Sequence, residues 1–205
     1  VASQELSPTN VRAVGTRWAR VALRLLVLGA TLGVLLDAMH VRTGTTRYPT
    51  PWVFGVATWT FPLFAGAAVA LGLGPHMVDR ALRRPAEAMS AGRVLAGMAL
   101  FVVAYGASCF LRGAVCVAAL ALLAVGLWWV TGRRADDLAH AAVAAVGGVC
   151  VEVTLVRAGA FAHRDVALFG VASWLPLLYV SASLSVAALA RRWPGPVSYT
   201  HLRAH

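Results

Sequence analysis

Lysine is absent from this chain: all 18 basic residues are arginine. Charge of either sign is scarce, at 13% of 205 residues, where an ordinary soluble domain carries about 25%. Cysteine is limited to Cys109, Cys116 and Cys150, all inside apolar runs and without metal-ligand spacing. They read as small buried hydrophobes, so no disulfide framework and no metal site is expected. Enzyme signatures are missing as well: there is no Gly-x-Ser-x-Gly, no His-Glu-x-x-His and no phosphate-cradling loop. His163-Arg164-Asp165 has no nucleophile beside it, and His140 stands alone in an apolar run. Asp136-Asp137 read as a solvated pair next to Arg133-Arg134. A non-enzyme without a cofactor is expected.

What the chain does have is hydrocarbon, at 60% of its residues. A helix rising about 1.5 Å per residue crosses about 30 Å of bilayer core in roughly 20 residues. Six runs meet that length, at about Trp18–Met39, Trp52–Leu73, Gly92–Leu111, Ala114–Val130, Leu138–Arg157 and Val166–Leu189. The turn Arg112-Gly113 is so short that the fourth run must return beside the third. The runs are continuous rather than alternating, and too long for barrel strands. The expected fold is therefore all-α: one polytopic domain of six membrane helices over residues 18–192. A tail over residues 1–17 precedes it, and a tail over 193–205 follows. Residues 197–205 resemble a translated sequencing adaptor and are set aside, so His201 and His205 are not treated as ligands.

The formal charge of +10 raises the question of nucleic acid. The arginines gather at the ends of apolar runs, which points to lipid headgroups instead. Arg12, Arg17, Arg20, Arg80, Arg83, Arg84, Arg93, Arg133, Arg134, Arg191 and Arg192 fall on one side. Only Arg42, Arg47, Arg112, Arg157 and Arg164 fall on the other. The positive-inside rule puts both termini in the cytoplasm. Arginine without lysine, with abundant Ala, Val and Gly, suggests a GC-rich bacterial genome and hence a bacterial inner membrane.

Several residues stand out from this background. Gly66, Ala70 and Gly74 form a small-residue stripe, and Ala144 and Gly148 a second pair; such stripes let helix backbones approach closely. Pro62 and Pro176 lie within their runs and are expected to kink them, opening a wedge between helices. Trp59 and Trp174 are candidates to line that wedge. Trp128 and Trp129, before Arg133, suit an aromatic interface belt. Glu152 is an acid well inside a run, and an intramembrane ionisable group is a functional candidate. A pair with Arg157 is the structural alternative.

Three segments resemble the INSIG (insulin-induced gene) family. Leu122-Leu123-Ala124-Val125-Gly126-Leu127-Trp128-Trp129 is similar to its Leu-Gly-Leu-Trp-Trp helix end. Ser173-Trp174-Leu175-Pro176, continuing to Ala190-Arg191-Arg192, is similar to its last helix. Trp59-x-x-Pro62-x-x-x-Gly66-x-Ala68, followed by Gly72-Leu73-Gly74-Pro75 and Asp79, resembles its second helix and the loop after it. The resemblance implies a six-helix fold with cytosolic termini and a lipid-binding regulatory or scaffold role. Trp59, Pro62, Gly66, Glu152 and Trp174 are the candidate residues to line a lipid cavity between the helices. The chain departs from animal members at Gly132, where they carry an acid used for partner binding, and at Val153, where they carry a glutamine. A bacterial ligand such as diacylglycerol is therefore expected in place of a sterol. Other partners expected are a membrane protein and further copies of the chain, as a trimer, with no nucleic acid. Two other readings stand beside this one. Pro51-Trp52-Val53-Phe54 with Trp59 invites comparison with TspO-like sterol- or porphyrin-binding transport proteins, and the small-residue stripes would also suit a structural assembly subunit.

Overall fold

The computed structural model describes residues 8–81, 88–167 and 169–193. Six helical rods make up the bundle. The first is α1 (Pro8–Leu28), a π-turn (Gly29–Gly33) and α2 (Val34–Arg42), joined without a break in helical dihedrals. The others are α3 (Thr60–Ala81), α4 (Ala91–Phe110), α5 (Gly113–Thr131), α6 (Ala135–Arg157) and α7 (Leu175–Arg192). The residues set aside as adaptor-like lie outside the described ones.

The boundaries correct the expectations in several places. Helix begins at Pro8, inside the stretch assigned to a tail. The second run starts eight residues late, at Thr60, because Pro49, Pro51 and the left-handed Phe54 and Gly55 hold the preceding chain in turns. It continues past Leu73 to Ala81 and takes Pro75 into the helix. The sixth rod starts only at Leu175. Pro62 and Pro176 therefore sit in first turns, where a missing N–H costs no helical bond, and neither kinks a span. The irregularity in the bundle's walls is instead the π-turn, a widening associated with functional regions of helices.

At the heart of the bundle stands α7, with α3, α4, α5 and α6 all packed on it. Ser181, Ser183, Leu184, Ser185, Val186, Ala187 and Ala188 are all buried. Its neighbours enclose this rod more fully than any other, and it carries serines there: Ser185 Oγ donates to the Gly97 carbonyl at 3.2 Å. Its composition follows from that position. Among the described residues five helices are long and apolar enough to cross a membrane, and α7 falls outside that set.

Small residues set the closest approaches. Gly29 in the π-turn lies against the Phe64 carbonyl and Ala68, and Gly72 against Leu25 and Ala190. A Cβ at Gly29 would strike the Phe64 backbone, so the first rod and α3 pack at backbone range there, whereas Gly72 makes room for the end of the Leu25 side chain. Of the anticipated stripe on α3, Gly74 meets the His140 ring, while Gly66 has open space beside it and Ala70 is exposed.

Two structures cap the ends. At one end β1 (Thr46–Arg47) pairs antiparallel with β2 (Ala162–His163). At the other an ion-pair knot joins three rods. Arg191 on α7 grips Asp137 on α6 at 2.7 and 2.6 Å and approaches Asp79 on α3 at 3.6 Å. Arg134 also pairs with Asp79. Asp137 is thus buried and paired, not solvated as the sequence suggested. Cys109 and Cys116 are buried, whereas Cys150 is exposed.

Candidate functional site

Near the β-pair end a crevice runs between the rods. Trp59, Leu63 and Phe64 line it from the α3 side, and Glu152 and Leu155 from α6. Asp37 and His40 of α2, Tyr105 of α4, and Trp174, Leu175 and Leu178 at the start of α7 close the back. Thr46, Tyr48, Phe161 and His163, on and beside the β-pair, cover the end. The cavity itself is about 40 Å³ and opens into a wider mouth. The wedge comes from helix directions. Gly74 and His140 bring α3 and α6 together near the ion-pair knot, and the crevice occupies the gap between their other ends.

Two carboxylates organise the polar groups. Glu152 accepts from the Tyr179 hydroxyl at 2.8 Å and from His163 Nε2 at 2.8 Å. With Nε2 engaged by Glu152, Nδ1 is the His163 ring atom without a partner. Asp37 accepts from the Tyr48 hydroxyl at 2.6 Å. Burial, and after it the Asp37 carboxylate, push the Tyr48 phenol well above its ordinary range and keep it a donor. Nearby, Ser108 Oγ donates to the Tyr105 carbonyl at 2.7 Å. The Ser108 proton is therefore committed, and His40 Nε2 donates to that same oxygen at 2.8 Å.

Aromatic rings fill the space between these groups. His40 stacks on Tyr105 with centroids 4.3 Å apart, and Tyr48, Trp59 and Phe161 meet one another at 5.6 to 6.2 Å. His163 stands edge-on to Trp174 at 6.0 Å.

Three lining residues keep a buried polar atom without a partner: Trp174 Nε1, His163 Nδ1 and Thr46 Oγ1. Trp174 is only 1% exposed and His163 7%. Unpaired buried polar atoms cost about 1–3 kcal/mol each, and three of them around one crevice are a built-in demand for a polar group. Their chemistry is mixed: an indole N–H donor, an imidazole nitrogen and a hydroxyl that both donates and accepts. No arginine lines the crevice.

Of the residues singled out in the sequence, Trp59, Glu152 and Trp174 come together here. Pro62 and Gly66 do not: both are exposed and lie off the lining. Glu152 binds Tyr179 and His163 rather than Arg157. Gly148 lies directly under the Tyr179 ring, with no room for a Cβ, and Ala144 is half-buried beside it. Trp129 is 61% exposed with Arg133 stacked on it at 4.3 Å, and Trp128 Nε1 donates to the Arg134 carbonyl at 3.2 Å.

Asp37, His40, Tyr48, Tyr105, Phe161, His163 and Tyr179 were not anticipated as lining or second partners. Asp37 had a signal, an acid two residues from the expected end of the first run. His163 was visible but had been weighed only as a catalytic residue. Two-residue strands leave no periodicity, so nothing local placed Tyr48 or Phe161.

No family model matches the chain, but individual relatives do. It is 35% identical over 185 residues to an INSIG protein homolog of Mycolicibacterium vanbaalenii, covering 83% of this chain and 88% of that one. It is 26% identical over 175 residues to the chicken (Gallus gallus) insulin-induced gene 1 protein, covering 82% and 69%. The crystal structure of MvINS, a mycobacterial Insig homolog from Mycobacterium vanbaalenii, superposes with a TM-score of 0.75 at 30% identity, over 84% of this chain and 93% of that one. MvINS has also been crystallised as a cross-linked trimer of a cysteine variant.

Proposed function

The chain belongs to the INSIG family of multi-pass membrane proteins, and we propose that it binds a neutral, hydroxyl-bearing membrane lipid of the diacylglycerol type and acts as a regulatory or scaffold protein rather than an enzyme. The observation that carries this reading is the set of three unpartnered buried atoms around the crevice. A lipid hydroxyl accepts from Trp174 Nε1 and donates to His163 Nδ1 or to a carboxylate. An ester carbonyl offers a second acceptor. Acyl chains leave between α3 and α6, past Leu63, Phe64, Leu155 and Leu178. A phosphate headgroup is disfavoured, because it would meet Asp37 and Glu152 with no arginine on the lining to offset the repulsion.

The ligand is lodged in the inner membrane of a bacterium, with both chain termini cytoplasmic. The arginine asymmetry supports this orientation. Copies of the chain assemble as a trimer, in keeping with the cross-linked trimer of MvINS and with the outward-facing Gly66 and Ala70 on α3. The animal family's acidic partner-binding position is Gly132 here. It closes α5 at φ 121°, a conformation that suits glycine and strains an L side chain. Any protein partner is therefore of a different kind from the animal ones.

Native mass spectrometry of protein purified in mild detergent, followed by lipid extraction, tests the reading. A retained neutral glycerolipid is expected. Protein that carries none, and rebinds none after delipidation while still folded, would overturn it.

A further inference from the structure

Both walls of the crevice belong to long helices, but they are held very differently. The buried residues of α6 are Asp137, Ala141 and Ala145, all in its first half. From Val146 to Arg157 none of its residues is buried. That second half rests Val149, Val153 and Val156, all only partly buried, against the core, and its polar ties are two: the Tyr179 hydroxyl on Glu152 and His163 on the other oxygen of the same carboxylate, next to Gly148 beneath the Tyr179 ring. The first half, by contrast, is anchored by the Asp137–Arg191 pair and by His140 against Gly74.

We propose that α6 is a lateral gate. It pivots on its ion-paired first half and is latched at its far end by Glu152, so that a lipid enters and leaves the crevice between α3 and α6. This rests on the lipid-binding reading above. From Asp137 to Glu152 the helix runs about 22 Å, so a tilt of about 5° at the pivot moves the latch by about 2 Å. Such a movement breaks both Glu152 hydrogen bonds at once. Glu152 is then a positioning residue: it sets when the crevice opens, in addition to bordering it. Tyr179 and His163 remain behind on α7 and β2, which the core and the β-pair hold in place. The moving wall presents Val146 and Val151 outward, so it swings into hydrocarbon rather than water.

The test uses full-length protein in nanodiscs, in a Cys150→Ser background, since Cys109 and Cys116 are buried. Thr58→Cys and Ala158→Cys place reactive groups at exposed positions beside the crevice ends of α3 and α6. Bridging them with a bis-maleimide should slow uptake of a diacylglycerol with a fluorescent acyl chain, offered in phosphatidylcholine vesicles, at least tenfold. Spin labels at the same two positions should show a wider distance distribution in Glu152→Ala, with at least fivefold faster probe release. Uptake at full rate through the bridged protein overturns the gate, as do unchanged distances in Glu152→Ala. Wild type that takes up no probe sinks the lipid reading instead, and the distance distributions then decide the gate alone.

Discussion

Arg191 holds Asp137 with both terminal nitrogens, at 2.7 and 2.6 Å, across 54 residues of sequence. Each residue is about 95% buried, at 5% and 4% exposure. The pair fastens the last helix to the mobile wall of the crevice at the end where the wall must not move. Removing one partner leaves a buried charge uncompensated, which costs about 3–5 kcal/mol. Arg191→Ala is expected to lower the melting temperature in detergent sharply. Arg191→Met with Asp137→Leu should recover most of the loss. A double variant no more stable than the single one would show that the pair is not the source of the effect.

Gly148 and Gly147 are adjacent in sequence and opposite in consequence. A Cβ at Gly148 collides with the Tyr179 ring, while Gly147 has nothing within 4 Å. Gly148→Ala should destabilise by about 1–3 kcal/mol through overpacking. Gly147→Ala, and likewise Gly66→Ala, should stay within about 0.5 kcal/mol when monomer unfolding is followed in detergent. Equal effects at the two neighbouring positions would contradict the packing of α6 on α7.

Trp174→Phe separates binding from folding. It removes an N–H that has no partner in the protein, so relief of that unmet donor offsets part of the smaller ring's packing loss. Stability without lipid should therefore change little. Lipid retention should fall about tenfold, the equivalent of about 1.4 kcal/mol for one hydrogen bond. Unchanged retention, measured by titrating the neutral glycerolipid, would place the headgroup elsewhere.

Tyr48 gives the site a signature at high pH. Its phenol is raised in the folded protein by burial and by Asp37. An unfolded tyrosine loses its proton near pH 10, whereas the folded one keeps it. The folded state then binds more protons, so this contribution is full below about pH 10 and declines as pH rises beyond it. Tyr48→Phe should flatten part of that decline. It should also cost about 1–3 kcal/mol at neutral pH, because Asp37 loses its donor. A pH profile identical in wild type and variant would exclude the Tyr48–Asp37 bond as a contributor.

Topology yields a last expectation. A phosphatase that is active only outside the cytoplasm, fused after Arg192, should be silent, while one inserted at Gly44 should be active. The reverse pattern would invert the whole assembly.

Much of the fold was legible before any coordinates. Three of the rods, α4, α5 and α6, lie within three residues of the apolar runs that announced them, and Arg112-Gly113 turned α4 back on α5 as its length required. The misplacements have a common cause. Trp52 and Val166 are apolar enough to extend a run, but turns at Gly55 and Gly170, both with positive φ, and the β-pair keep them out of helix. Pro75 was assigned to a loop, yet α3 carries it in its interior on the packed face.

Length, hydrocarbon content and the position of arginines are sums over consecutive residues, so the sequence alone determined that this is a bundle of membrane rods of INSIG type. It also offered Trp59, Glu152 and Trp174, because large or charged side chains stand out in an apolar run. The crevice is another kind of property. It depends on where α3 and α6 diverge, which is fixed by Gly74 against His140 and by an arginine and an aspartate 54 residues apart. It depends also on Tyr48, His163 and Tyr179 arriving from three separate elements to meet two carboxylates. No local pattern encodes such meetings, because each partner's neighbours in sequence say nothing of its neighbours in space. Only the packed structure decided which acids were paired, which polar atoms were left wanting, and which glycines had to be glycine.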